Sequence, residues 1–325
     1  MLVMSIRVSF LVASIIAAAT PAAAATPAND GCAPLVAAFD HAVAAKSIDG
    51  AIDAVAAIEA DIVCGARTDE FRHKLIDSMI GIAGDPQVSD AERKKALAEA
   101  QQTIDHAGTW RDAEHLADYY WGRKDNLNAF TWYERGLAFI SARPAEHATG
   151  NDIRQLETRA SAAKSLASDD NGGKKPAQFA SSRGDMDGRV GGIYSPDLVR
   201  LRGAEVEVVP LPINFITGET TFTPVGEKAA AELAEAIKEQ NVHVVTLVGH
   251  TDPRGEHQYN MALSMHRAEA LRAYLQSHGI SAQINVDGKG PDEPFDASLL
   301  GRSISQDEEY ALDRRVEWVR HSTSE

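Results

Sequence analysis

From about residue 33 to 167, apolar positions recur three and four residues apart, the spacing of one helix face. Two alanine-rich stretches, 34–46 and 49–63, are joined by a short turn at Ser47-Ile48, which predicts a pair of antiparallel helices. Thr68-Asp69 supplies a start signal for a helix with Phe71, Leu75, Ile76, Met79 and Ile80 on one face, and Asp85-Pro86 stops it. Ser89, with Glu92 three residues on, has the form of a capping box and opens a helix to about His106. Segments 111–121 and 127–142 make a further pair. Within it Ala117, Tyr120, Ala129, Tyr133 and Gly136 alternate small and aromatic residues, as tetratricopeptide-like (TPR-like) repeats do. There is one tolerable copy and no clean period of about 34 residues. A TPR-like scaffold and an irregular alanine-rich bundle or solenoid both fit, with the second slightly favoured.

The periodicity fails between Ser165 and Ser195, where SLASDDNGGKKPAQFASSRGDMDGRVGGIYS is rich in Gly, Ser and Asp. This composition reads as a flexible linker. The tripeptide Arg183-Gly184-Asp185 inside it matches adhesion sequences too readily by chance to carry a function. Beyond it the texture is α/β. Val206, Val208 and Val209 begin a strand running through Ile213 and Phe215, and Thr223-Pro224 opens a helix to about Glu239. Residues 242–248 form a nearly pure apolar strand, 256–278 an amphipathic helix ended by Gly279, and 282–286 a third strand. Residues 314–320 form a fourth, with Val316 and Trp318 on one face. The order β-α-β-α-β-β predicts a small mixed sheet covered by helices on one side. The expected fold class is therefore α+β, with an all-α helical scaffold at 26–167, a flexible linker at 168–204 and an α/β-textured domain at 205–325.

Composition narrows the function. The 325 residues are 44% hydrophobic and 24% charged, ordinary for a folded protein. Acids outnumber bases 47 to 32, for a net charge of −15, which argues against nucleic acid or anionic lipid as the source of affinity. Residues 1–25 have the form of an export signal: Arg7 is the only charge, an apolar run covers 8–19, Pro21 breaks it, and Ala23-Ala24-Ala25 offers a cleavage site. An uncleaved anchor fits less well, because a span needs about 20 apolar residues. No transmembrane span is expected in the mature chain. Export permits a disulfide between the two cysteines, Cys32 and Cys64, because antiparallel helices return their outer ends to one place. Such a bond stabilises by about 3–4 kcal/mol in the chain-entropy picture. The alternative is two buried thiols.

The informative block is VVTLVGHTDPRGEHQYNMALSMHRAEALRAYLQSHGI, residues 244–280. A buried strand ends at Gly249-His250-Thr251-Asp252, which puts polar side chains at its C-terminal mouth. A loop with Pro253 and Gly255 follows, then a helix presenting Asn260 and Arg267, seven residues or about two turns apart and so on one face. Met261, Leu263, Ala268, Leu271 and Leu275 belong largely to the buried side. Asp252 and Arg267 can then face one shallow cleft, a pair that matches a zwitterionic amino-acid head: guanidinium for the carboxylate, carboxylate for the ammonium.

These residues also carry a resemblance. The block resembles the OmpA-like peptidoglycan-binding domain shared by OmpA C-termini, Pal lipoproteins and MotB stators. The shared elements, in order, are GHTD with Gly255; NxxLSxxRA at Asn260, Leu263, Ser264, Arg267 and Ala268; Tyr274-Leu275; Gly279-Ile280; Gly288, Gly290 and Pro294; and the run from Leu312 to Glu317. The resemblance covers roughly residues 205–320 and leaves the helical half unassigned. It implies that Asp252 and Arg267 grip the diaminopimelate of the peptidoglycan stem peptide, with Thr251, Asn260 and one arginine of the Arg314-Arg315 pair lining the site. Strand alternation allows only one of that pair to face inward, and Arg315 is marginally preferred. Three departures stand out: Gly218 where relatives often carry Asp or Asn, Asp313 where Asn is common, and a long acidic segment at 291–310 that leaves room for a loop or short helix.

The competing structural readings are that Asp252 only caps a turn and Arg267 only makes a surface ion pair. His250 reads as strand-end packing, and Trp110, Trp121 and Trp132 as core rather than sugar platforms. No histidine has metal-ligand spacing, so neither metal nor cofactor is expected. The expected function is a non-enzymatic periplasmic protein that binds peptidoglycan, with attachment to the outer membrane left open. The alternative is an envelope adaptor whose helical half binds a protein partner. A hydrolase would need a catalytic set that 205–320 lacks, and a stator would need a charged membrane helix.

Overall fold

The computed structural model describes residues 31–143, 147–169 and 206–321; the expected signal and nearly all of the expected linker lie outside them. Helices α1 (Ala33–Ala44) and α2 (Ile48–Ala60) form the first hairpin, with the Ser47 hydroxyl accepting from the Gly50 N–H at the turn. Cys32 and Cys64 are disulfide-bonded, Cα atoms 5.4 Å apart, at the hairpin's open end. Next come α3 (Thr68–Gly84) and α4 (Asp90–Ala107), the latter opened by the Ser89/Glu92 capping box, then α5 (Trp110–Gly122) and α6 (Asn126–Ala142). Phe71, Leu75, Ile76, Met79 and Ile80 are buried, as the α3 pattern requires, and Trp110, Trp121 and Trp132 are core residues.

Helix α7 (Gly150–Asp169) has a different character. From Ala160 to Ala167 every residue is buried, Lys164 included, so this helix is enclosed rather than lying on a surface. One side packs on α6; the other meets the C-terminal half.

That half contains β1 (Val206–Leu211), α8 (Pro224–Glu239), β2 (Val244–His250), α9 (His257–Ser277), β3 (Gln283–Gly290), α10 (Gln306–Asp313) and β4 (Val316–His321). The sheet order is β1-β4-β2-β3, with β2 and β3 parallel and the other pairs antiparallel, the mixed sheet the pattern predicts. Trp318 sits in register with Val209 on one side and Leu247 on the other, and with Leu211, Val245 and Val316 forms the buried sheet face. Strand β1 stops at Leu211 rather than Phe215, because its partner there is Val316, the first residue of β4, and the antiparallel ladder has no strand beyond it to pair with. Phe215 instead bridges Phe222 across a turn. A short 3-10 turn (Ala297–Leu300) and α10 occupy the long acidic segment.

The two halves touch directly. The Ser161 hydroxyl donates to the Pro210 carbonyl at 2.7 Å, and Lys164 pairs with Glu232 at 2.5 Å. The Trp121 indole N–H and the Arg159 Nε donate to the carbonyls of Leu300 and Leu299, both at 3.0 Å. Helix α7 is thus a docking element, not merely the last helix before a tether.

Candidate functional site

The site begins with how closely α9 lies on the sheet. A Cβ on Gly249 would fall 2.0 Å from the Ser264 carbonyl oxygen, and one on Gly288 would fall 2.6 Å from the Met265 nitrogen. Only glycines allow that approach. The Ser264 hydroxyl then accepts from Gly290 N–H at 2.9 Å and donates to Met261 C=O, which fixes the helix's rotation. Asn260, Ser264 and Arg267 consequently all face inward and are buried.

Arg267 is 1% exposed. Its Nε donates to the Glu219 carbonyl at 3.1 Å and its Nη2 to the Ile216 carbonyl at 3.5 Å, with the guanidinium 5.3 Å from the centre of the Phe215 ring. Nη1 is buried and has no hydrogen-bond partner among the described residues. Burial, and then the neighbouring Arg314 cation, push the Arg267 pKa down to about 10, with the Asp252 charge opposing them.

Asp252, at the mouth of β2, is also buried. Both its oxygens take the side chain of Arg254, at 3.0 and 2.7 Å, and Oδ2 also accepts from Arg314 Nη1 at 3.0 Å. Burial by itself would raise this carboxyl, but the bonds from Arg254 and Arg314 outweigh it and hold the group at about 2. Asp252 and Arg267 are not hydrogen-bonded to each other; their charges interact through space. One carboxylate and three guanidinium groups therefore converge, and of the three Arg267 alone has no hydrogen-bonded carboxylate among the described residues.

The other expected site residues divide. Thr251 is buried, its hydroxyl oxygen has no partner among the described residues, and its backbone N–H donates to Gly290. The Asn260 amide donates to the backbone carbonyls of Asp252 (3.3 Å) and Arg254 (3.0 Å), so it clamps the loop that carries the acid rather than lining open space. Arg315 is a correction: Arg314 reaches Asp252, while Arg315 pairs with Glu317 at 2.7 Å and donates to the Glu293 carbonyl. The strand register decides this. Val316 and Trp318 face the helices, so Arg315 and Glu317 share the opposite face with His250, whose Nε2 lies 3.2 Å from Glu317. Arg314, just past the end of α10, is outside that alternation.

Arg254 was not anticipated. Its signal was local: an arginine two residues after Asp252, across Pro253, can fold back onto that acid. Gly218 (φ +74°) contributes only its carbonyl, which accepts from the Tyr259 hydroxyl. Asp313 accepts from the Phe295 N–H at 2.8 Å and is a core residue, its carboxyl raised by burial.

A strand mouth ending in Gly-His-Thr-Asp, a glycine-seated helix and a buried arginine on its inner face occur together within one stretch of sequence. Residues 214–307 match the OmpA family. This OmpA-like domain is similar over 110 residues to the probable lipoprotein YiaD of Escherichia coli strain K12, at 33% identity, covering 34% of this chain and 48% of that one. The peptidoglycan-associated lipoprotein of Pseudomonas aeruginosa is 37% identical over 94 residues, 26% of this chain and 52% of its own. The chain spans about half the length of these curated relatives. A solved peptidoglycan-associated lipoprotein from Burkholderia pseudomallei is 25% identical over 33% of this chain and 86% of its own, with a TM-score of 0.29. The helical half lies outside the matched residues. Among the described residues no helix is long and apolar enough to cross a membrane, and no group of three or more His, Cys, Asp or Glu side chains is arranged to hold a metal.

Proposed function

We propose that the OmpA-like domain binds peptidoglycan non-covalently by gripping the amino-acid end of diaminopimelate in the stem peptide, and that the protein is a non-enzymatic component of the periplasm. The observation that carries this reading is Arg267, a cation inside the protein that has, among the described residues, no hydrogen-bonded carboxylate and one unused nitrogen. A buried charge without its counter-ion costs on the order of several kcal/mol. A ligand carboxylate at Nη1 would supply the missing partner through a charge-assisted bond. Asp252, ionised at any physiological pH, would take the ligand's ammonium beside Arg254 and Arg314, and the Thr251 hydroxyl is a second unused group at the same mouth. The name of the Pseudomonas relative, a peptidoglycan-associated lipoprotein, is consistent with this. Specificity comes from the clasp, because a net-acidic protein is not steered toward an anionic polymer. Many such stems along one wall raise retention through effective concentration.

The test is co-sedimentation of the full chain with purified sacculi. Asp252→Ala and Arg267→Ala should each abolish pelleting while circular dichroism stays native-like. Unchanged pelleting in both variants would defeat the assignment.

A second reading, that the helical half binds a protein partner and the wall site only localises it, draws on a half-open pocket of about 540 Å³ between α3 and α5. His73 and His115 line it, each with Nδ1 held at 2.7 Å by a carboxylate of the opposite helix, Asp112 and Asp77. Envelope crosslinking that captures the same protein with wild-type chain and with Asp252→Ala would favour it.

A further inference from the structure

The clamp leans on the helical half from both sides. Arg314 reaches Asp252 from the end of α10, and Arg254 reaches the same acid while lying 4.8 Å from the centre of the α10 residue Tyr310. The Arg314 contact with Asp252 therefore depends on where α10 sits, and Arg254, held to the same acid locally, packs beside that helix. The segment 297–313 that positions α10 is held largely by the other half. Trp121 and Arg159 take the carbonyls of Leu300 and Leu299, and Arg302 stacks 3.9 Å from the centre of the Trp121 ring. Arg302 also bonds Glu308 at 2.8 Å, and Lys124 reaches the same Glu308 at 3.3 Å. Gly301, at φ +70°, lies close against Arg159: a Cβ there would fall 2.9 Å from its Nη2 and displace the guanidinium.

The other jaw is braced in the same way. Asn214 donates its amide to the Ser165 carbonyl of α7 at 3.2 Å, while its own carbonyl accepts from the N–H and hydroxyl of Thr223. Between Asn214 and Thr223 lies the turn whose Ile216 and Glu219 carbonyls hold Arg267. One helix thus touches the supports of both the acid and the base.

We infer that the helical half is a working part of the clamp: α5 and α7 hold the 297–313 segment and Asn214 so that Arg314 meets Asp252 opposite Arg267, and docking of the halves and occupation of the clamp strengthen each other. This rests on the wall-binding reading above. Trp121 and Arg159 are positioning residues that never touch ligand. Because linkage is reciprocal, what docking does for affinity, ligand must do for docking.

The experiment uses the full chain and, as probe, the soluble disaccharide tripeptide ending in meso-diaminopimelate. Trp121→Phe keeps an aromatic ring, a smaller one, and loses the N–H; Arg159→Ala and the double variant remove more. Calorimetric titration should show binding about 5- to 20-fold weaker in the double variant, in the usual range of coupling between sites. Hydrogen exchange should show amides 297–302 losing protection while those of the α9 interior keep theirs. In the wild type, the muropeptide should raise protection across 297–313. Protection lost with affinity unchanged or tighter would overturn the inference, as would protection unchanged in all three variants. Asp252→Ala, run alongside, separates the two ideas. If it abolishes binding while the interface variants bind normally, the coupling falls and the clamp stands. If it binds like wild type, the clamp falls and the coupling with it.

Discussion

At the scale of single residues, Arg267 and Asp252 are buried charges with opposite consequences. Asp252 has a folded pKa of about 2 against an ordinary 3.8, so its contribution to stability is fully present above the ordinary value and is lost as pH falls through about 2. For Arg267 the folded value, about 10, lies below its ordinary 12.5, so folding disfavours its charged form at neutral pH and an arriving anion relieves that cost. Muropeptide affinity should therefore be flat between about pH 4 and 8 as far as these two groups are concerned, and should collapse below about pH 3. Calorimetric titration across that range checks it. In parallel, the fall of the melting temperature toward acid pH should be shallower in Asp252→Asn than in the wild type; superimposable profiles would contradict the pairing with Arg254 and Arg314.

At the scale of elements, the site exists because α9 sits flush on the ends of β2 and β3. Gly249→Ala should destabilise the domain by about 3 kcal/mol, since its Cβ would meet backbone that cannot yield. Gly218→Ala makes the contrast: nothing lies within 4 Å of its Cβ, so only the positive φ opposes it, at about 1 kcal/mol. Chemical denaturation of the two variants should rank them in that order. Equal losses would mean the tight seat of α9 is not what holds the site.

At the scale of the whole molecule, the disulfide closes the first hairpin, which packs on α3 and supplies none of the docking contacts described above. Cys32→Ser should cost about 3–4 kcal/mol and lower the thermal transition of the helical half. Muropeptide affinity at a temperature where α7 remains docked should not change. A parallel loss of affinity would show that the coupling extends through the entire scaffold. The acidic net charge is a separate whole-molecule property that bears on encounter rather than on the clasp.

The features legible in the sequence are those that depend on neighbours a few residues apart. Ser89 with Glu92, and Thr223 before Pro224, start helices because a hydroxyl meets an N–H three residues on. The seven-residue spacing of Asn260 and Arg267 places both on one face whatever surrounds the helix. The mixed sheet follows from the order of apolar runs, and the Cys32–Cys64 bond from two helices of similar length. What the sequence left open depends on residues far apart along the chain. Arg314 rather than Arg315 meets an acid 62 residues away, because the register of β4 turns Arg315 to the other face. Asn260 serves the loop backbone, and Arg267 is held by carbonyls 48 and 51 residues distant. The burial of α7 against both halves likewise needs the folded sheet to be there first. Local pattern determined which elements form and which side chains share a face. Only tertiary packing decided which charges meet, because a charge's partner and its exposure to water are set by chain segments that no short-range spacing brings together.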